Sequence, residues 1–180
     1  MQPTSFTAPR KQLGVALFIS LVLLLVLTII GVSAVQSTSL EVRMSRNEHD
    51  TLLAFQSAES ALRDAEQQLN AITSIAPFNG SSGLYRVADM GSAENWDVAG
   101  TWSGSSSVVA SAVHGTAEPA RYIIEYLGPV VREENAYEQN SPYGSGQVDR
   151  IEMFRITARG IGGTTNSQVL LQSTFGRIMD

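Results

Sequence analysis

An apolar segment from Val15 to Val35 constrains this chain more than any other feature of its sequence. Only four residues within the segment are not clearly apolar: Ser20, Thr28, Gly31 and Ser33. Its 21 residues, at the helical rise of about 1.5 Å each, cover about 31 Å, which is the thickness of the hydrocarbon core of a bilayer. The sequence therefore predicts a membrane-spanning helix over residues 15–35.

The charges around this segment predict its orientation in the membrane. Arg10 and Lys11 precede it, and the next charged residue is Glu41. Basic residues are retained on the cytoplasmic side, so the N-terminus is predicted to be cytoplasmic and the rest of the chain exported. A cleaved secretory signal remains an alternative, because residues 32–34 offer a small-residue cleavage site, although a signal usually has a shorter apolar region.

Charge and cysteine content exclude several classes of function. The 180-residue chain has a net charge of −5, and subtracting the two cationic residues before Val15 leaves −5 − 2 = −7 for the remainder. This acidic balance argues against nucleic acid as a partner. The chain has no cysteine, which excludes disulfides, thiolate metal sites and cysteine nucleophiles. The residues after the apolar segment suffice for one modest domain.

A second helical pattern continues directly from the apolar segment. No proline occurs between Pro9 and Pro77, and apolar residues recur three or four apart, which predicts an amphipathic helix over 36–76 whose apolar stripe faces a core. The stripe comprises Leu40, Met44, Leu52, Phe55, Ala58, Leu62, Ala65, Leu69 and Ile72. Together the two patterns predict one helix of about 60 residues.

Residues 77–180 have the composition of a β-rich domain. Gly, Ser, Asn and Pro become frequent from Pro77, as is typical of turns. Three segments rich in β-branched and aromatic residues predict strands: 121–130, 149–160 and 167–178. Residues 160–166 predict the turn between the last two strands. The predicted fold class is α+β, a long N-terminal helix packed on an antiparallel sheet.

Catalytic chemistry is not predicted for any part of the chain. His49 and His114 have no second histidine at ligand spacing, so both are interpreted as solvent-exposed. Trp96 and Trp102 fit either a core or a partner-binding surface, and the core interpretation is favoured. The sequence thus predicts no enzyme, no catalytic residue and no cofactor.

Two loops contain residue types that can bind ligands. Glu133, Glu134 and Glu138 could surround a cation, but their spacing departs from that of a calcium loop, so a solvated acidic loop is favoured and no metal is predicted. Residues 144–146, Gly-Ser-Gly, precede no predicted helix and do not form a phosphate loop.

Two stretches of this sequence resemble the PilX-type minor pilins of type IV pili. The first is RKQLGVALFISLVLLLVLTIIGVSAVQSTSLEVRMSRNEHDTLLAFQSAESALRDAE, residues 10–66, and the second is FRITARGIGGTTNSQVLLQSTFGRI, residues 154–178. The resemblance implies a type IV pilin-like fold. It also implies that a prepilin peptidase removes a short basic leader after a glycine and that the new N-terminus is methylated. Gly14 matches that glycine, which gives a leader of residues 1–14 and a mature chain beginning at N-methylated Val15.

Three features depart from the usual pilin pattern. Val15 stands where many pilins have phenylalanine, and the cysteine pair of many pilins is missing. Ile19 occupies the fifth mature position, where most pilins have glutamate. The resemblance implies that this glutamate neutralises the N-terminal amine of a neighbouring subunit in the apolar filament core, where an unpaired charge is costly. Ile19 cannot do so, which favours a place at the filament tip, where that neighbour is missing, or a place where related priming subunits supply the contact.

The predicted function is that of a minor pilin that primes type IV pilus assembly and lies at or near the pilus tip. Partners implied by the resemblance are other minor pilins, the major pilin and a PilY-family tip adhesin, with uses such as cell adhesion or twitching motility. The protein is expected in the inner membrane before assembly and at the cell surface afterwards. Two alternatives remain: a single-pass anchored binding domain without a filament role, and a tip pseudopilin of type II secretion.

Overall fold

One long helix and one sheet make up the described chain. The computed structural model describes residues 13–131 and 150–179. Helix α1 (Leu13–Ala71) contains 59 residues and is shared by two compact units, Met1–Arg46 and Asn47–Asp180. The predicted long helix is confirmed, and it ends six residues before Pro77.

The sheet belongs to the second unit, called the head here (47–180). Its strands are β1 (Leu84–Arg86), β2 (Val108–Val109), β3 (Arg121–Val131), β4 (Arg150–Ile161) and β5 (Gln168–Ile178). The order across the sheet is β1-β3-β4-β5, with β2 also pairing with β3. The pairs β3–β4 and β4–β5 are antiparallel, as predicted, whereas β1 adds a short parallel pair to β3. The α+β pilin-like arrangement is therefore confirmed, with a mixed sheet.

Small residues let α1 approach the sheet closely. Ala54, Ala58, Ala61 and Ala65 of the helix are completely buried. A Cβ atom placed on Gly160 of β4 would lie 2.1 Å from the carbonyl oxygen of Ala54. Because backbone rather than a flexible side chain occupies that space, only glycine fits at this position.

The inner face of the sheet, which contacts α1, carries the core. Phe154, Ile156 and Ala158 are fully buried, as their alternation along β4 predicts. The ring of Phe154 packs against those of Phe78 and Tyr126, with centroid separations of 5.3 and 5.5 Å. These tilted contacts are a favoured aromatic geometry and join the loop after α1 to two strands.

An arginine from the last strand closes the C-terminal end of α1. The Nη1 atom of Arg177 donates hydrogen bonds to the carbonyl oxygens of Leu69, Asn70 and Ile72, at 2.7, 2.9 and 2.7 Å. The last turn of α1 itself contains no basic residue. Arg177 therefore satisfies carbonyl groups that the helix cannot pair and places a cation at the negative end of the helix dipole.

A polar network covers the outer face of the sheet, opposite α1. Glu125 is fully buried and accepts hydrogen bonds from Arg155 Nε at 2.7 Å and from Asn95 Nδ2 at 2.7 Å. Arg155 also pairs with Glu94, and these contacts, that with Glu125 foremost, raise the pKa of the Arg155 guanidinium. Through Glu94 and Asn95, the network fixes the loop between β1 and β2 onto the polar face of β4.

The predicted core stripe of α1 is correct at its C-terminal end and wrong nearer the N-terminus of the helix. Leu62 is 8% exposed, whereas Leu52 and Phe55 are 54% and 44% exposed. The core face instead follows the alanines and Ser57, because only small side chains fit beside Gly160. Leu40 and Met44, also assigned to the stripe, are exposed in the first unit.

Two alanine substitutions on this helix should therefore differ in effect. We expect Leu62→Ala to lower the free energy of unfolding by about 2–5 kcal/mol, because it leaves a cavity between helix and sheet. The matched Phe55→Ala should cost about 1 kcal/mol or less, because the ring is largely outside the core. Denaturant titrations of both variants in detergent provide the comparison, and equal losses would contradict this placement of the core.

Candidate assembly surface

The apolar half of α1 presents an unbroken apolar surface. Large side chains from Val15 to Val35 are between 40% and 71% exposed. Among the described residues, α1 is the one helix long and apolar enough to span a bilayer. An exposed apolar area of this extent is typical of a segment that lies in lipid or against other apolar helices.

The hydroxyl groups of Ser20 and Thr28 within this surface are satisfied inside the helix. Ser20 Oγ donates to the carbonyl oxygen of Leu17 at 2.8 Å, and Thr28 Oγ1 donates to that of Leu24 at 2.6 Å. Such internal bonds remove the cost of carrying a polar group into an apolar environment. The surface from Val15 to Val35 is thus compatible with both lipid and a dry protein interface.

The residues singled out for processing and assembly lie at the start of α1. Gly14 and Val15 belong to its first turn, and Ile19 follows one turn after Val15, which places Val15 and Ile19 on the same side of the helix. Val15 is 63% exposed and Ile19 is 53% exposed. Position 19 is consequently available to a neighbour, and it presents an aliphatic side chain.

A second exposed surface lies on the part of α1 that belongs to the head. Phe55, Gln56, Glu59, Ser60 and Arg63 line a shallow groove along the helix. Sequence reasoning assigned Phe55 to the core and therefore missed this surface. The signal that identifies the true core face is the recurrence of small residues three or four apart: Ala54, Ser57, Ala58, Ala61 and Ala65.

Asp50 attaches α1 to the turn between β4 and β5. Its carboxylate accepts hydrogen bonds from the backbone amide and the hydroxyl of Thr164. The hydroxyl contact is the largest cause of a lowered pKa for Asp50, whose ordinary value is 3.8. Because the folded state lowers this pKa, the contact stabilises the head above that value and is lost as the pH falls through the lower, folded pKa.

The remaining candidate residues are the two histidines, the two tryptophans and the two loops considered as ligand sites. His49 and His114 are exposed, and the described residues contain no cluster of His, Asp and Glu suited to a metal ion. Trp102 is partly buried, donates its indole N–H to the carbonyl oxygen of Trp96 at 2.9 Å, and stacks under the Arg159 guanidinium. The acidic loop with Glu133, Glu134 and Glu138, and the Gly-Ser-Gly segment, lie outside the described residues.

Two family models match this chain. The model described as PilX N-terminal matches residues 14–63, and the model described as Type IV pilus assembly protein PilX C-term matches residues 56–177. The first match begins at Gly14 and includes the exposed apolar half of α1, and the second covers most of the head. No curated protein and no solved structure matches the chain significantly.

Proposed function

Because this chain belongs to the PilX family of type IV pilus assembly proteins, we propose that it is the minor pilin that primes pilus assembly and then lies at or near the filament tip. Membership of the family makes the protein a structural component of the pilus and implies contacts with other pilus components. The priming role, the tip position and the identity of those contacts belong to the proposal.

The exposed apolar half of α1 is compatible with two environments, the membrane and the filament core. Before assembly it holds the protein in the inner membrane, with residues 1–14 in the cytoplasm and the head in the periplasm. After extraction into a filament, the apolar helices of neighbouring subunits replace the lipid. A surface that has no charge between Val15 and Leu40, and whose Ser20 and Thr28 hydroxyls bond within the helix, suits both surroundings.

Processing follows from the position of Gly14. A prepilin peptidase would cleave between Gly14 and Val15, and the new amine of Val15 would be methylated. Both residues lie where the apolar helix begins, next to the basic pair Arg10 and Lys11. Basic residues of this kind hold the leader on the cytoplasmic side of the membrane. The role of the PilX family in the type IV pilus also favours cleavage after Gly14 over the alternatives of a cleaved secretory signal and an uncut membrane anchor.

The tip assignment depends on the aliphatic residue at position 19, Ile19. In pilins that have glutamate at this position, the resemblance implies an ion pair with the N-terminal amine of the adjoining subunit. An aliphatic, half-exposed Ile19 offers no carboxylate to such an amine. The chain therefore fits best where no further subunit inserts its N-terminus beyond it, and that place is the tip.

The partners proposed for this position are other minor pilins, the major pilin and a PilY-family tip adhesin. The apolar half of α1 would pack against the helices of the pilins. The groove around Phe55 and Glu59 is exposed on the same helix within the head and offers a mixed apolar and charged contact. The combination of an aromatic ring and charged groups favours specific rather than purely hydrophobic recognition.

Substitution at position 19 tests the tip assignment. We expect Ile19→Glu to leave the number of copies per filament unchanged or slightly reduced, because the added carboxyl has no amine to pair with and must be buried neutral. Ile19→Gln is the matched control, because glutamine has nearly the size of glutamate and carries no charge. The measurement is the amount of this protein relative to the major pilin in sheared pili.

The opposite result would identify a shaft subunit. If Ile19→Glu raised the copies per filament clearly above both wild type and Ile19→Gln, the new carboxylate would be restoring a missing ion pair, and the tip assignment would be wrong. Deletion of the gene should lower total piliation if the protein primes assembly. Normal piliation in the deletion strain would refute the priming role.

A further inference from the structure

Strand β5 forms one edge of the sheet and is unusually open for an edge strand. Within residues 13–131 and 150–179, no segment pairs with the side of β5 that faces away from β4. The strand contains 11 residues, and its pairing with β4 runs from Ile151 to Ile161 without a register shift. Half of its backbone N–H and C=O groups therefore point away from the sheet.

The opposite edge of the sheet is protected in ways that β5 is not. Strand β1 has only three residues, and its Leu84 carbonyl accepts a hydrogen bond from the Gly80 amide in the adjoining turn. Strand β5 contains no proline and no bulge, and its one charged residue, Arg177, is directed at the end of α1. Proline and bulges, two of the usual barriers to pairing with another strand, are missing from this edge.

Side chains along β5 indicate what kind of strand would fit. Leu171 and Phe175 lie on the inner face, are only partly buried and pack against the core. On the outer face, Gln172 and Thr174 are exposed between the exposed Leu170 and Ile178. A neighbouring strand with apolar residues at alternate positions would extend the core beyond Leu171 and Phe175 and place its other side chains beside Gln172 and Thr174.

We propose that the edge of β5 that faces away from β4 binds an extended strand of alternating apolar and polar residues that belongs to a different protein of the pilus. The strand completes the sheet by backbone hydrogen bonding, and its apolar residues cover the exposed sides of Leu171 and Phe175. This inference rests on the proposed function, since it assigns a surface to the contact with another pilus component.

A second copy of this chain anchored in the same membrane does not fit the same edge by antiparallel pairing. Antiparallel pairing of two β5 strands in one continuous sheet requires a two-fold axis perpendicular to that sheet. Such an axis also reverses the direction of the Asn47–Ala71 part of α1. The helices of the two subunits, followed towards their N-termini, would therefore leave the two heads in opposite directions. Two subunits anchored in one membrane cannot adopt that arrangement.

A pair of carboxylates on β5 tests the proposal without disturbing the sheet. Leu170→Glu and Thr174→Glu place the new charges directly opposite Arg159 and Arg155 on β4, where opposite charges are favourable. The matched control is Thr165→Glu with Asn166→Glu, which adds the same charge in the exposed turn before β5. Both double variants are produced in the full-length chain in cells.

The expected result is a loss of at least tenfold in the amount of the β5 variant in sheared pili, with its membrane level unchanged. The turn variant should stay within twofold of wild type. Normal incorporation of the β5 variant would overturn the edge proposal and leave the proposed minor pilin function intact. Failure of the wild-type protein to appear in pili would instead refute the proposed function itself.

Amide hydrogen exchange of the wild-type chain tests the backbone contact directly. In detergent-solubilised protein, alternate β5 amides should exchange rapidly, and in pili the exchange of β5 should slow by at least tenfold. Equal β5 exchange in both states would overturn the proposal. Slowing that depends on the concentration of the purified protein alone would show that a second copy occupies the edge, which also overturns it.

Discussion

Replacing Gly14 with valine should leave the precursor uncut and abolish its entry into pili. The β-branched side chain would occupy the position before the scissile bond, where the family resemblance requires glycine. The uncut chain would retain its basic leader, which cannot be buried in an apolar filament core without a large cost. On denaturing gels of membrane fractions, Gly14→Val should migrate as the full-length precursor, while wild type migrates as the shorter mature chain.

Leu13→Val is the matched control, because it introduces the same side chain one residue earlier. It should be processed like wild type if position 14 is the one that the peptidase reads. A Gly14→Val chain that is cut normally would contradict the assignment of the cleavage site. A wild-type chain that begins at Val35 would establish the secretory-signal alternative.

A large loss of stability in the head is expected from Arg155→Ala. Glu125 is fully buried beneath the loop between β1 and β2, and Arg155 is its bonded cation. Removing that cation leaves a buried carboxylate without a compensating charge, which typically costs about 3–5 kcal/mol. Chemical denaturation followed by circular dichroism should therefore show a large decrease in the unfolding midpoint.

Two further variants distinguish this mechanism from a general loss of packing. Glu94→Gln removes the more exposed partner of Arg155 and should cost about 1 kcal/mol or less. The double variant Arg155→Met with Glu125→Gln removes both charges and should recover much of the stability lost in Arg155→Ala. A loss from Arg155→Ala no greater than that from Glu94→Gln would contradict the importance of the buried pair.

The elements with strong local patterns could be predicted from the sequence alone. The alternation of Phe154, Ile156 and Ala158 with Arg155, Thr157 and Arg159 identified β4, and the structure confirms the burial of the apolar set. The bounds of β3, β4 and β5 differ from the predicted ones by one residue. In long strands bounded by turn residues, the alternation of apolar and polar residues is sufficient to predict where the strand begins and ends.

Contacts that join distant parts of the chain could not be predicted in this way. Arg177 caps a helix whose last residue is more than 100 positions earlier, and Glu125 is paired through residues of two other elements. Strand β1 has three residues and no periodic pattern. The sequence pattern placed Leu52 and Phe55 on the core face of α1, because their large apolar side chains gave a stronger signal than the alanines that form the true core face.

The assembly surface combines both kinds of inference. The exposed apolar half of α1 follows from the composition of residues 15–35, because a segment of that length without charge suits lipid. The special positions Gly14, Val15 and Ile19 follow from the family resemblance, since the local sequence by itself shows only that an apolar helix begins there after a basic pair. The groove around Phe55 and the open edge of β5 required the three-dimensional arrangement.

Mass spectrometry of sheared, purified pili tests the central claim most directly. The protein should be present at a small fraction of the amount of the major pilin, and its N-terminal peptide should begin with N-methylated Val15. Both results together would establish a processed subunit that occupies few positions in each filament. Absence from the pili, together with a membrane-bound chain that still begins at Met1, would contradict the account and support a plain membrane anchor.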